Sequence, residues 1–296
     1  MHTAHKNAAL PIIALLISAS LWGSIWYPYR WLSEMGVSSL MASFITYGMA
    51  LTIGLPFYFK HLRTVVNAKW LWLAIVICSG WTNTAYVYAV INGEVMRVTL
   101  LFYLAPLWTI IFSRLILGEK LQRIGYVVVG FSFMGVLLMM WQADGRLPLP
   151  ANLAEWMGLS AGISFALTNV TVKKSSAISI QAKSIGIWIG GVIVALPLIL
   201  LQGHAFSAWD QYTSSVWLLL FIIGLAMIGI TLCIQYGLMH VAANRAIVIL
   251  LFELVVSATT VYWFTSESLN AREWVGAAMI MIASLFSGQL EQKESL

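Results

Sequence analysis

Glu253 has the clearest capacity for chemistry. It stands in the run Ile249-Leu-Leu-Phe-Glu253-Leu-Val-Val256, apolar on both sides. A charge near the centre of an apolar membrane helix costs about 2.5–3.5 kcal/mol on insertion scales. Such a carboxyl is expected to face a cavity or a partner, where it can bind and release a proton in each cycle. A neutral, hydrogen-bonded structural role is the alternative.

Aromatic and amide side chains accompany it on other apolar runs. Trp22, Trp26 and Tyr29 are spaced i, i+4, i+7 and share a helix face. Asn83 and Tyr86 share another, close to Trp81. Phe165 and Asn169 share a third, and Thr231 and Gln235 a fourth. Trp and Tyr usually gather at the two membrane interfaces. Mid-run tryptophans with buried amides instead fit a pocket for a flat or zwitterionic ligand, since such pockets combine aromatic walls with a few polar groups. The expected substrate cavity is therefore Trp22, Trp81, Asn83, Tyr86, Tyr103, Asn169, Gln235 and Glu253. Plain packing with interhelical hydrogen bonds is the competing reading. Pro106, just after Tyr103, is expected to kink its helix and serve as a gate hinge. Arg97 and Arg245 could attract an anionic group, but interfacial anchoring by snorkelling is the favoured expectation. Gly186 and Gly190 read as a close helix contact.

Other chemistries lack their residues. All five histidines lie at or beyond the ends of apolar runs, and both aspartates, Asp144 and Asp210, fall between them. No intramembrane aspartate pair exists, and no histidine is placed to activate a serine. No spacing suits a metal, and no phosphate-binding loop is present. Cys78 and Cys233 sit in apolar runs as small buried residues. Neither an enzyme, a cofactor nor a metal is expected.

The elements that must position these residues follow from composition. Of 296 residues, 60% are apolar and 9% charged, with a mean hydropathy of +0.87. Ordinary soluble domains are roughly 45–50% apolar and about 25% charged. So few charges cannot cover a water-facing surface, and the hydrophobicity excludes disorder. A polytopic membrane protein remains. A membrane helix needs about 20 apolar residues. That window gives ten spans, near 9–32, 37–59, 69–91, 97–117, 123–141, 153–173, 182–202, 215–239, 244–265 and 271–289. With the N-terminus in the cytoplasm, 12 of the 16 Lys and Arg residues fall inside, leaving Arg30, Arg97, Arg146 and Arg272 outside. This segregation obeys the positive-inside rule, and one span more or fewer would scramble it. The net charge of +5 thus sets topology, and no nucleic-acid partner is expected.

The two halves repeat. Arg97-Val-Thr-Leu leads to Gly118-Glu119-Lys-Leu121, and Arg245-Ala-Ile-Val leads to Ser266-Glu267-Ser-Leu269. Arg97 to Arg245, Glu119 to Glu267 and Leu121 to Leu269 are all offsets of 148. Tyr88 and Tyr236 also match, as do Asn83 and Thr231 in position. Five spans per half is odd, so the second copy enters the membrane upside down, a recurrent plan of secondary transporters. The expected fold is an all-α membrane protein of ten transmembrane helices in two inverted five-helix repeats, residues 1–146 and 147–296.

Two stretches carry a family resemblance: Ala19-Ser-Leu-Trp22-Gly23-Ser24, and Leu104-Ala-Pro106 followed by Leu117-Gly118-Glu119-Lys-Leu121. With five-plus-five spans, the chain resembles the drug/metabolite transporter superfamily, specifically its EamA-type ten-span exporters. The second half departs from the pattern, with Leu254 at the position of Pro106 and Ser266-Glu267 for Gly-Glu. The resemblance implies efflux of small metabolites, often amino acids or related compounds. It also implies a cavity lined mainly by spans one, three, four, six, eight and nine.

The expected function is secondary active export by alternating access, with Glu253 as the proton-coupling group. A passive facilitator, needing no titratable Glu253, and a multidrug efflux protein are the alternatives. The expected setting is a cell inner membrane with both termini cytoplasmic. The expected partners are a small-molecule substrate and the lipid bilayer, with the chain a monomer.

Overall fold

The computed structural model describes residues 9–119, 123–141, 150, 152–201, 209–264 and 271–285. Among these residues the secondary structure is helical throughout. The first half holds α1 (Ala9–Ser24), α2 (Trp26–Glu34), α3 (Ser39–Tyr58), α4 (Lys69–Asn92), α5 (Val95–Phe102), α6 (Ala105–Phe112) and α7 (Arg123–Met140). The second holds α8 (Leu153–Lys174), α9 (Ile180–Leu201), α10 (Ser214–His240), α11 (Ala243–Leu250), α12 (Phe252–Phe264) and α13 (Ala271–Leu285). A 3-10 stretch, Phe59–Ala68, carries Lys60 and Arg63 between α3 and α4. A π-helical turn, Ser113–Leu117, extends α6.

Among the described residues, five helical stretches are long and apolar enough to cross a membrane: Ala9–Glu34, Ser39–Val66, Lys69–Asn92, Ile180–Leu201 and Ser214–His240. Three of the expected spans are broken. The first breaks between α1 and α2 at Ile25. The fourth breaks at Tyr103 and Leu104, between α5 and α6. The ninth breaks at Leu251, between α11 and α12. Pro106 lies in the first turn of α6, where its missing N–H costs no hydrogen bond. The equivalent break at Leu251 has no proline or glycine beside it. Proline therefore accommodates the first break and does not create the pattern.

The helix boundaries repeat at the same offset as the sequence. α5 runs from 95 to 102 and α11 from 243 to 250, both ends displaced by 148. The ends of α4 and α10, at 92 and 240, obey the same displacement.

Glycines let the central helices approach. A Cβ added at Gly190 of α9 would collide with the Val76 carbonyl oxygen of α4, and one at Gly80 with Gly190 itself. The two backbones cross there without side chains between them, the small-residue contact the sequence predicts at Gly190. Gly186 meets the Trp72 ring, whose Nε1 donates to the Ala182 carbonyl at 2.8 Å. One buried apolar cluster joins α1, α3, α9 and α10. A second joins α2, α4, α5, α8 and α12.

Candidate functional site

Between these clusters lies a cavity of about 60 Å³. Its wall takes Ser18 and Trp22 from α1, Tyr47 from α3, and Ser79, Thr82 and Asn83 from α4. α8 adds Phe165, Thr168 and Asn169, and α9 adds Ile187. α10 adds Ile230, Thr231, Ile234 and Gln235, and the α11–α12 break adds Leu250 and Glu253. The side chains share faces because they recur at helical spacing, as in Ser79, Thr82 and Asn83.

The break at Leu251 places Glu253 in the first turn of α12. α1 crosses directly behind it. A Cβ at Gly23 would stand 2.5 Å from the Glu253 carbonyl oxygen and 3.0 Å from Val256 Cβ. Only glycine lets α1 pass this close, so Gly23 sets the position of the carboxyl-bearing turn. Trp26 Nε1 donates to Thr260 Oγ1 at 3.0 Å and ties α2 to the same helix about two turns further on.

Four polar atoms on the cavity wall have no hydrogen-bond partner in the protein: Trp22 Nε1, Asn169 Nδ2, Gln235 Oε1 and Glu253 Oε1. Asn169, Gln235 and Glu253 are 1–2% exposed. Buried indole N–H groups normally find an acceptor, and other tryptophans here do. Trp72, Trp81 and Trp188 donate to Ala182, Ser160 and Thr231 respectively. Trp22 is different, and it faces the cavity. Among the described residues, the remaining unpartnered buried side-chain atoms are the hydroxyls of Ser43, Thr84, Thr99, Tyr103, Thr109 and Ser257, and Arg245 Nε. Leaving a buried polar group unsatisfied costs about 1–3 kcal/mol. Four such groups share the wall of this one cavity.

Five of the eight expected residues line the cavity: Trp22, Asn83, Asn169, Gln235 and Glu253. Three do not. Trp81 turns toward α8, where its Nε1 donates to Ser160 Oγ at 3.1 Å. Tyr86 lies behind Trp22 and stacks on it, with ring centroids 5.7 Å apart. Tyr103 stands beside the Glu253 carboxyl and packs edge-on against Phe102. Tyr86 and Tyr103 thus support the wall from behind. The expected set of lining spans also changes. Span four, α5 and α6, contributes no lining residue among those described. Tyr47 and Ile187 of spans two and seven take part instead. Sequence reasoning missed Ser18, Tyr47, Ser79, Thr82 and Thr168. The signal for two of them was present, since Ser18 and Ser79 lie four residues before Trp22 and Asn83 on the same helix faces.

The arginines are placed elsewhere. Arg97 Nε pairs with Glu155 Oε1 at 2.8 Å, and Glu155 is 4% exposed at the start of α8. The expected snorkelling is replaced by an ion pair. Arg245 does not line the cavity either. Glu119 Oε1 accepts from the Ala243 N–H at 3.4 Å, at the N-terminus of α11. Glu267, its expected counterpart, lies outside the described residues.

The profile of the EamA-like transporter family matches this chain twice, over residues 9–141 and 152–289. The chain belongs to the EamA-like transporter family. That membership agrees with the drug/metabolite transporter superfamily which the motifs resemble. Among the relatives of this chain, an uncharacterized transporter of Archaeoglobus fulgidus is 26% identical, covering 93% of this chain and 94% of its own. A riboflavin transporter of Rhizobium johnstonii is 26% identical, covering 87% and 83%. The RarD protein of Escherichia coli is 27% identical, covering 54% and 51%. A solved crystal structure superposes with a TM-score of 0.73 at 14% identity, covering 96% of this chain and 98% of that one. That likeness is one of fold.

Proposed function

We propose that this EamA-like transporter is a secondary active exporter of small organic metabolites related to amino acids, working by alternating access. The observation that carries the reading is the buried cavity where Trp22, Asn169, Gln235 and Glu253 present unpartnered polar atoms from four helices. Family membership supports transport. The riboflavin transporter among the relatives is consistent with a planar substrate against aromatic walls.

Alternating access rests on duplication. Helix breaks and boundaries recur at an offset of 148, and the family profile matches each half. In this reading the ten spans form two inverted five-helix repeats, divided near residue 146, in a cell inner membrane with both termini cytoplasmic. Inverted halves give two related gates around one midplane site. Glu253 carries the coupling proton, and the chain works as a monomer with lipid around it.

The test is flux in proteoliposomes. Labelled amino acids, amines and flavins are offered with and without an imposed pH gradient. Saturable flux accelerated by the gradient is expected. Saturable flux indifferent to the gradient makes the protein a facilitator. Absence of saturable flux for the whole panel overturns the substrate class.

A further inference from the structure

The cavity wall carries acceptors and donors but no cation. We propose, building on the reading of this cavity as the substrate site, that it takes molecules with an aromatic or apolar body and an amine or amide head, and excludes those bearing a free carboxylate.

The charge inventory is one-sided. Among the described lining residues none is Lys, Arg or His, and Glu253 is the carboxylic acid. Arg97, which the sequence offered as an anion-binding group, is bound to Glu155. α12 begins at the cavity, but its first turn carries Glu253 itself, so that helix start is no free anion site. A carboxylate entering here meets no counter-charge and approaches an acidic group. Burying an unpaired charge is far more costly than burying a hydrogen-bonded neutral group.

The unpartnered atoms specify the opposite kind of ligand. Gln235 Oε1 and Glu253 Oε1 need donors, and Trp22 Nε1 and Asn169 Nδ2 need acceptors. An amide can present either end, so Asn169 and Gln235 together offer a donor and an acceptor in either arrangement. An ammonium or primary amide supplies several N–H groups to the Glu253 side. A carbonyl or hydroxyl on the same molecule accepts from the indole. Phe165 and the isoleucines of α10 receive the apolar body.

Four indole compounds that share one ring system isolate the head group: tryptamine, tryptophanamide, tryptophan and indole-3-propionate. Each is titrated calorimetrically into the full-length protein in detergent at one pH. Tryptamine and tryptophanamide are expected to bind at least tenfold more tightly than tryptophan, with indole-3-propionate undetectable. Tryptophan binding as tightly as tryptamine, binding of indole-3-propionate, or no binding by any member overturns the proposal. Glu253→Gln is expected to lower tryptamine affinity tenfold, and an unchanged affinity in that variant overturns the proposal. The ligand series itself uses the unaltered chain and needs no variant to fold. The two readings fail separately. Gradient-driven flux of tryptophan in proteoliposomes sinks this proposal and leaves the exporter standing. Amine binding without flux does the reverse.

Discussion

Lys173 Nζ donates to the backbone carbonyl of Val241 at 2.9 Å. In the first half Arg30 Nη2 donates to the carbonyl of Gly93 at 3.3 Å. Gly93 and Val241 are 148 residues apart and close α4 and α10 as their C-terminal caps. The last carbonyls of a helix have no intrahelical donor, and a cation there is favoured by the helix dipole. Each half meets that need with a cation from the end of its first span. The second clasp is reinforced. Lys183 is fully buried beside it, with its ammonium on the Val172 carbonyl at 2.9 Å and against the Met239 sulfur. In the inverted-repeat reading the two clasps lie on opposite membrane faces and hold opposite gates.

Releasing one clasp should therefore open the cavity from one side only. A hydrogen bond to a charged group contributes about 1.5–3 kcal/mol, enough to shift an open-to-closed ratio about tenfold. Ser18→Cys in a background lacking Cys78 and Cys233 reports access to the cavity. Lys173→Met is expected to speed labelling by an impermeant thiol reagent from the cytoplasmic face, and Arg30→Met from the other. Equal labelling from both faces in both variants would reduce the clasps to helix caps.

Gly23 tests how tightly the Glu253 turn is held. A methyl group there stands 2.5 Å from a backbone oxygen and 3.2 Å from Ser257 N, neither of which can rotate away. Overpacking of this kind costs about 1–3 kcal/mol. Gly23→Ala should lower the thermal unfolding midpoint and weaken substrate binding together, because α1 and α12 must part. Gly48→Ala is the control, since its nearest neighbour is 4.0 Å away. Equal behaviour of the two variants would show that α1 does not position Glu253.

Trp22 and Trp81 separate a binding indole from a packing one. Trp81→Phe loses the bond to Ser160 and should cost about 0.5–1.5 kcal/mol of stability with substrate affinity unchanged. Trp22→Phe loses no bond within the protein. It should lower the unfolding midpoint only through lost packing against Tyr86, while weakening binding by about fivefold, in line with one lost neutral hydrogen bond. Calorimetry and thermal unfolding on both variants read the two effects, and an affinity loss in Trp81→Phe alone would reverse the assignment.

The sequence revealed the helices because apolar runs of membrane length leave few alternatives. It revealed the duplication because Arg97 and Arg245 keep their spacing from Glu119 and Glu267. Within a helix, however, neighbours point about 100° apart. Trp81 therefore faces Ser160 while Thr82 and Asn83 face the cavity, and no spacing rule told which one the packing would choose. The break at Leu251 was hidden for a different reason. Nothing in Ile249-Leu-Leu-Phe252 disfavours a helix, so its interruption comes from tertiary packing. The partner of Arg97 was equally hidden, since Glu155 reaches it only through the docking of α8 on α5.

Glu253 carries the energetic claim. Glutamine keeps the shape and an acceptor oxygen but cannot exchange a proton. If the carboxyl couples transport to the gradient, Glu253→Gln should abolish acceleration by an imposed pH difference while retaining downhill exchange of a neutral substrate. The position opposite it in the first half is Ala105, so no second carboxyl stands by at the equivalent break to take over. Tyr103, beside the carboxyl, supplies the companion variant. Tyr103→Phe should preserve gradient dependence and change only its rate, because a phenol that supports the site is not the group that cycles. Flux measured at matched and opposed pH in proteoliposomes distinguishes these outcomes, and undiminished acceleration in Glu253→Gln would remove the residue from the coupling step.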